Sequence, residues 1–169
     1  MYPEYLHSPS AEKSMIRSLA IVLISFAAME FVSYLAHRFV YHKLLWVLHK
    51  SHHTPRNGPF EWNDVFPLFF ASVSIMAMWY AVETPTRGDL LALAIGVSLY
   101  GMVYFFIHDV YIHRRGPGVV FRNAYLQRIK KAHMVHHATG GEPYGLLLLP
   151  VRDVLGGKIE PEGEQEVRQ

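Results

Sequence analysis

The sequence predicts an all-α integral membrane protein, with three to four transmembrane helices and a cytoplasmic cap rich in histidine. Three observations predict it. Half of the 169 residues are apolar and only 18% are charged, a balance tilted away from soluble proteins. Three apolar stretches are each long enough to cross a bilayer. Ten of the eleven histidines fall in two short regions, each directly after an apolar stretch, and only His7 stands apart.

The elements follow in order. Residues 1–14 read as a polar N-terminal segment, 15–158 as a membrane-embedded domain, and 159–169 as an acidic tail expected to be disordered. The first span is Ser18 to Ala36, interrupted only by Glu30; the second, Val65 to Val82, and the third, Leu90 to Ile107, carry no charge. About 18 residues at 1.5 Å each cover roughly 27 Å, close to the hydrocarbon thickness. Trp62 and Trp79–Tyr80 bracket the second span, where amphipathic rings prefer the interface. Asn63 or Asp64 is placed to cap that helix, with Pro67 in its first turn. Glu30 breaks the first run and no small-residue cleavage pattern follows, so the first span is expected to remain in the mature protein. The apolar run Gly145 to Pro150 is too short to cross and reads as interfacial or re-entrant.

Charge orients these spans. Arg38, Lys43, Lys50 and Arg56 follow the first; Arg114, Arg115, Arg122, Arg128, Lys130 and Lys131 follow the third. The loop between spans two and three has Arg87 balanced by Glu83 and Asp89. By the positive-inside rule both basic regions are cytoplasmic and that loop is external, although Lys13 and Arg17 argue mildly the other way. Both histidine regions then lie on one membrane face. The net charge of +2 comes without a long basic run, which speaks against nucleic-acid binding.

The histidine spacings repeat. His37 and His42 (H-x4-H) precede His49, His52 and His53 (H-x2-H-H); His108 and His113 precede His133, His136 and His137 in the same pattern. Positions i, i+3 and i+4 share a helix face, so each triple is expected to aim its three rings at one point. An i, i+5 pair sits about 140° apart on a regular helix and ~7.5 Å along it. Such a pair is expected either to serve two neighbouring metals or to span a helix end where the geometry loosens. Neutral imidazole suits iron, zinc, copper and nickel. A single ion cannot use ten rings, so the pattern predicts a dinuclear site fed by both halves. The competing reading, ten histidines each with its own hydrogen bond, does not explain a pattern repeated in order.

No cysteine is present, which excludes disulfides, iron–sulfur clusters and thiolate-ligated haem. Zinc hydrolysis normally uses a positioned carboxylate, as in H-E-x-x-H, and that motif is absent. A redox-active iron pair fits better. Glu30, in the membrane, is expected to bond a ligand histidine's second nitrogen or polar groups of a neighbouring helix. Asp109 is expected either to orient His108 or to be solvated. No side chain beyond the metal ligands is assigned a catalytic role.

The stretches "AHRFVYH", "LHKSHHTPRNGPFEWND", "YFFIHDVYIH" and "KKAHMVHHA" resemble the histidine boxes of bacterial and plant non-haem β-carotene hydroxylases, within the fatty acid hydroxylase and sterol desaturase superfamily. The resemblance runs from about Met29 to Ala138, and "SHHTPRNGPFEWND" narrows it to the carotenoid branch. After the last box the chain reads "GGEPYGLLLLP", where that family usually has a Cys-Val-Ser-Phe-Gly-like segment. The resemblance implies a monooxygenase of the bacterial inner membrane with two iron ions held by the ten clustered histidines. It implies O2 as co-substrate and hydroxylation at carbon 3 of a β-ionone ring, from β-carotene through β-cryptoxanthin to zeaxanthin. No flavin, nicotinamide or phosphate-binding motif is present, so electrons are expected from a ferredoxin-type carrier and its NAD(P)H reductase. Lys43, Lys50, Arg114, Arg115, Lys130 and Lys131 offer that carrier a basic rim, or simply reflect topology. Two rivals remain: a membrane di-iron fatty acid or sterol hydroxylase or desaturase, and a histidine-rich metal transporter. A transporter would place its ligands near mid-membrane on broken helices.

Overall fold

The computed structural model describes residues 9–116 and 120–148. His7, Leu149, Pro150 and the acidic tail lie outside the described residues. Among those described, every regular element is helical. The long helices are α1 (Pro9–Leu35), α3 (Val65–Glu83) and α4 (Gly88–Phe105), with the short α2 (Trp46–His49) and the capping α5 (Ala124–Thr139). α1 begins earlier than the hydropathy predicts, because Pro9 suits a first helical turn and the polar residues after it tolerate helix. With their extensions, three helices are long and apolar enough to cross a membrane: Pro9–Leu44, Trp62–Glu83 and Gly88–Ile112.

Their surfaces show what solvates them. Glu30 is the only buried residue of α1, while Leu19, Leu23, Ile24 and Phe31 are each more than half exposed. Apolar surface on that scale belongs against lipid. α4 packs between α1 and α3. A Cβ on Gly96 would run into the Ser25 hydroxyl and the Val22 carbonyl, so only glycine lets α1 and α4 approach this closely. At the end remote from the histidines, Arg17 pairs with Asp89, which sets the start of α1 beside the loop between the second and third spans.

The first and third spans do not end as regular α-helix. Residues Ala36–Leu44 and Phe106–Ile112 are π-helical. Leu45 N–H donates to Val40 O at 2.8 Å, and His113 N–H to His108 O at 3.0 Å, both i to i−5. The core lies just beneath, where Tyr100, Tyr111, Ile112, Ile129, Leu146 and Leu147 pack together. α5 closes it with one face: Ile129, Ala132, His133 and His136 are its buried residues, at i, i+3, i+4 and i+7. Asn123 caps its start by accepting from Tyr125 N–H and Leu126 N–H. Gly140 ends it at φ +67°, a conformation glycine adopts without strain.

Candidate metal centre

The two π segments resolve the H-x4-H spacing. In a π-helix the i to i+5 hydrogen bond closes a wider turn, so residues five apart come to share a face. His37 and His42 rings lie 5.0 Å apart and those of His108 and His113 4.7 Å apart. Each pair therefore serves one cluster rather than two, which settles the two expectations in favour of loosened helix geometry.

Two clusters form. Ring nitrogens of His37, His42, His49, His53 and His136 lie within 4.8 Å of one another; those of His52, His108, His113 and His133 do the same. His137 flanks the second cluster, its Nε2 2.9 Å from that of His133. The H-x2-H-H triples thus do not aim three rings at one point. The middle ring of each crosses over: His52 joins His108 and His136 joins His42, with Nε2 atoms 3.1 and 3.0 Å apart. The crossing is set by how the two halves pack: the facing rings of His53 and His137, one from each half, stack between the clusters at 4.3 Å.

Hydrogen bonding fixes how the rings are presented. His37 Nδ1 donates to the Tyr144 carbonyl at 2.8 Å, and His49 Nδ1 to Asn63 Oδ1 at 2.7 Å. A neutral ring with its proton on Nδ1 has only a lone pair on Nε2. Yet the Nε2 atoms of His37 and His49 face each other at 3.1 Å. His52 and His108 repeat this: their Nδ1 atoms face Glu61 and Asp109, each at 3.0 Å, while their Nε2 atoms meet at 3.1 Å. Facing lone pairs repel unless a cation lies between them. Metal–nitrogen bonds of about 2.1 Å would set two ligand nitrogens about 3.0 Å apart at a right angle and about 3.4 Å apart at the tetrahedral angle, so the donor set fits one metal ion in each cluster.

Burial keeps these rings in the ligating form. It lowers the pKa of His49 to about 3, of His53 to about 4 and of His113 to about 2. The same cause pushes His133 well below the usual imidazole range and lowers His136 and His137. Neighbouring imidazoles add to the effect, since two charged rings at contact would repel.

The surrounding residues are arranged less legibly. Asp109 does face His108, and its other oxygen takes Arg115 at 2.9 Å. Arg115 also forks onto Asp64 at 2.5 and 2.6 Å and donates to the Pro59 carbonyl at 3.0 Å. This ties the 59–64 loop to the π segment and raises the guanidinium pKa, first through the Asp64 bonds. Arg115 is therefore spent internally, unlike the docking residue the sequence suggested. The expected cap is made one turn earlier: Asp64 makes no side-chain cap bond on α3 itself, but it forms a capping box with Glu61 on the 3-10 turn Trp62–Asp64 that leads into α3. Asn63 turns to His49 instead, and Asp64 accepts from Glu61 N–H at 3.0 Å while holding Arg115. Glu61 is held below its usual carboxylate range, chiefly by the His52 hydrogen bond. Glu30 meets the second of its two expectations, polar groups of neighbouring elements. It accepts from Tyr100 Oη at 2.8 Å and from the N–H groups of Leu146 and Leu147, both at 2.8 Å, and of Leu148 at 3.2 Å. It anchors the start of the Gly145–Pro150 run, whose described part folds inward. Sequence reasoning missed Glu61, Tyr144 and the Gly141 carbonyl, which takes His136 Nδ1 at 2.5 Å.

An open cleft of about 510 Å³ reaches the second cluster, lined by His52, His53, Thr54, Arg56, Glu61, His113, Met134, His137 and Ala138.

Paired histidine clusters at the mouth of three apolar helices define a class: a multi-pass membrane protein with two groups of side chains that could each hold a metal ion. Residues 22–158 match the fatty acid hydroxylase family, and the chain belongs to it. It is 41% identical over 128 residues to a β-carotene hydroxylase of Pseudescherichia vulneris, covering 75% of this chain and 72% of the relative. It is 40% identical over 139 residues to the chloroplastic β-carotene 3-hydroxylase of an Oncidium hybrid cultivar, covering 79% of this chain and 46% of the relative. The chloroplastic β-carotene 3-hydroxylase 2 of Arabidopsis thaliana is 37% identical over 156 residues, covering 89% and 52%. The chain spans about half the length of these plant relatives. No solved structure matches it.

Proposed function

We propose that the protein is a carotenoid ring hydroxylase, a monooxygenase that places a hydroxyl at carbon 3 of β-ionone rings and converts β-carotene through β-cryptoxanthin to zeaxanthin. The observation that carries this reading is the pair of facing histidine clusters at the membrane surface of a chain whose relatives bear the β-carotene hydroxylase name. His37, His42, His49, His53 and His136 would hold one iron, and His52, His108, His113, His133 and His137 the other. Bound iron would supply O2 reduction and the oxidising power to break a ring C–H bond, at a net use of two electrons and two protons with water as co-product. The chain's own work is to present neutral Nε2 donors, to fix each ring's orientation through Nδ1, and to keep the substrate's ring in an apolar setting.

The cleft beside the second cluster carries Arg56 and Glu61, which suit water and protons better than a hydrocarbon. We therefore read it as the solvent side, with the carotenoid arriving from the bilayer. Electrons come from a ferredoxin-type carrier and its NAD(P)H reductase, docking on Lys43, Lys50, Arg114, Lys130 and Lys131. By the positive-inside argument this is the cytoplasmic face, and residues 15–158 form the hydroxylase domain. Pigment chromatography of a β-carotene-accumulating bacterial host expressing the chain tests the proposal. Zeaxanthin and β-cryptoxanthin are expected; unchanged β-carotene with the protein present in the membrane contradicts it.

A further inference from the structure

We propose that the two centres are unequal, and that the cluster of His52, His108, His113 and His133 binds its ion more tightly than the cluster of His37, His42, His49, His53 and His136. This rests on the reading that both clusters hold metal. The difference lies one atom further out, in what each ring's Nδ1 donates to. In the first cluster every acceptor in hand is neutral: the Tyr144 carbonyl for His37, Asn63 Oδ1 for His49 and the Gly141 carbonyl for His136. In the second both are carboxylates, Glu61 for His52 and Asp109 for His108.

A carboxylate behind a ligating imidazole raises its basicity and fixes its orientation, and removing such a partner costs about 10- to 100-fold in metal affinity. Local charge runs the same way. Glu61, Asp64 and Asp109 stand around the second cluster with Arg115 bridging them and Arg56 across the cleft, which leaves a net charge of minus one. Near the first cluster, Glu142 is paired with Arg38, which leaves none. Ligand number does not reverse the order, because His137 stands 2.9 Å from His133 and brings the second set level with the first. Arg115 is the positioning residue of this arrangement. It holds Asp109 directly and holds Glu61 through Asp64, whose Oδ2 accepts the Glu61 N–H.

The test is titration of the metal-free, detergent-solubilised full chain with cobalt(II) alone. It is read by equilibrium dialysis and by the cobalt absorption bands, neither of which depends on turnover. Two binding steps separated by about 10- to 100-fold are expected. Glu61→Gln and Asp109→Asn should each weaken the tighter step and draw the two together. Asn63→Asp, which places a carboxylate behind His49, should tighten the weaker step and leave the other alone. That reciprocal gain is not produced by loss of structure. Two ions bound in a single step, with Asn63→Asp moving nothing, would overturn the inequality while sparing the dinuclear reading. Weakening of the looser step by Glu61→Gln would also overturn it. If no cobalt binds, both fail together.

Discussion

The two H-x2-H-H triples share a spacing but not a backbone. His49 ends the short α2 while His52 and His53 sit on a tight 3-10 turn; His133, His136 and His137 lie along unbroken α5. Even so, each sends its middle ring to the opposite cluster. Local conformation therefore does not decide where a ring goes. The packing of the two halves does, and neither half completes a centre alone.

The largest expected effect comes from breaking that crossing. His52→Ala and His136→Ala should each abolish hydroxylation, beyond the roughly 100-fold upper range for loss of a ligand's supporting partner. Each should also perturb the cluster to which the other half contributes most. A fully active His136→Ala beside a dead His52→Ala would mean that one triple is dispensable.

Acid probes both triples at once. His49 titrates at about 3 and His53 at about 4 in the folded chain, against about 6.5 for free imidazole. The unfolded chain takes up protons that the folded chain refuses. Stability from these groups is therefore full above pH ~6.5 and declines as the pH drops toward 4. Proton competition for the ligands adds iron release in the same direction. Thermal unfolding of metal-free protein across that window measures the first part; a flat profile would contradict the burial of the rings.

Arg115→Ala sharpens the contrast between clusters, since it leaves Asp64 and Asp109 without their cation. A partly exposed network of this kind should lose about 2 kcal/mol, below the range for a fully buried pair. The loss is read from the unfolding midpoint, and the second centre should loosen more than the first. The smallest effect belongs at the opposite end of the bundle. Arg17 and Asp89 are both well exposed, so Arg17→Ala should cost about 0.5 kcal/mol or less and leave metal content unchanged. A reporter fused between Thr84 and Asp89 should read as external; a cytoplasmic reading would break the topology.

Much of this was legible in the residues. Hydropathy located three spans because a membrane segment must be long, apolar and nearly uncharged, and residues 65–82 and 90–107 meet that condition. The ten clustered histidines were visible by type and repetition. Their sorting was not, because H-x4-H on a regular helix divides its rings, and no residue type in "AHRFVYH" announces a π turn. Asp109 was found because it adjoins His108. Glu61 and Asn63 were hidden, since each reaches back across a loop to a histidine, a contact with no local periodicity. Glu30 signalled itself as a carboxylate in a membrane span, but the N–H groups it holds come from Leu146 to Leu148, far along the chain.

The central claim is that two ions sit in clusters that exchange their middle histidines. Diffraction from iron-loaded crystals, with anomalous maps at the iron edge, tests it most directly. The account predicts two peaks: one among His37, His42, His49, His53 and His136, the other among His52, His108, His113 and His133. A single peak, or two peaks sorted by sequence half with His52 beside His49 and His53, would contradict it.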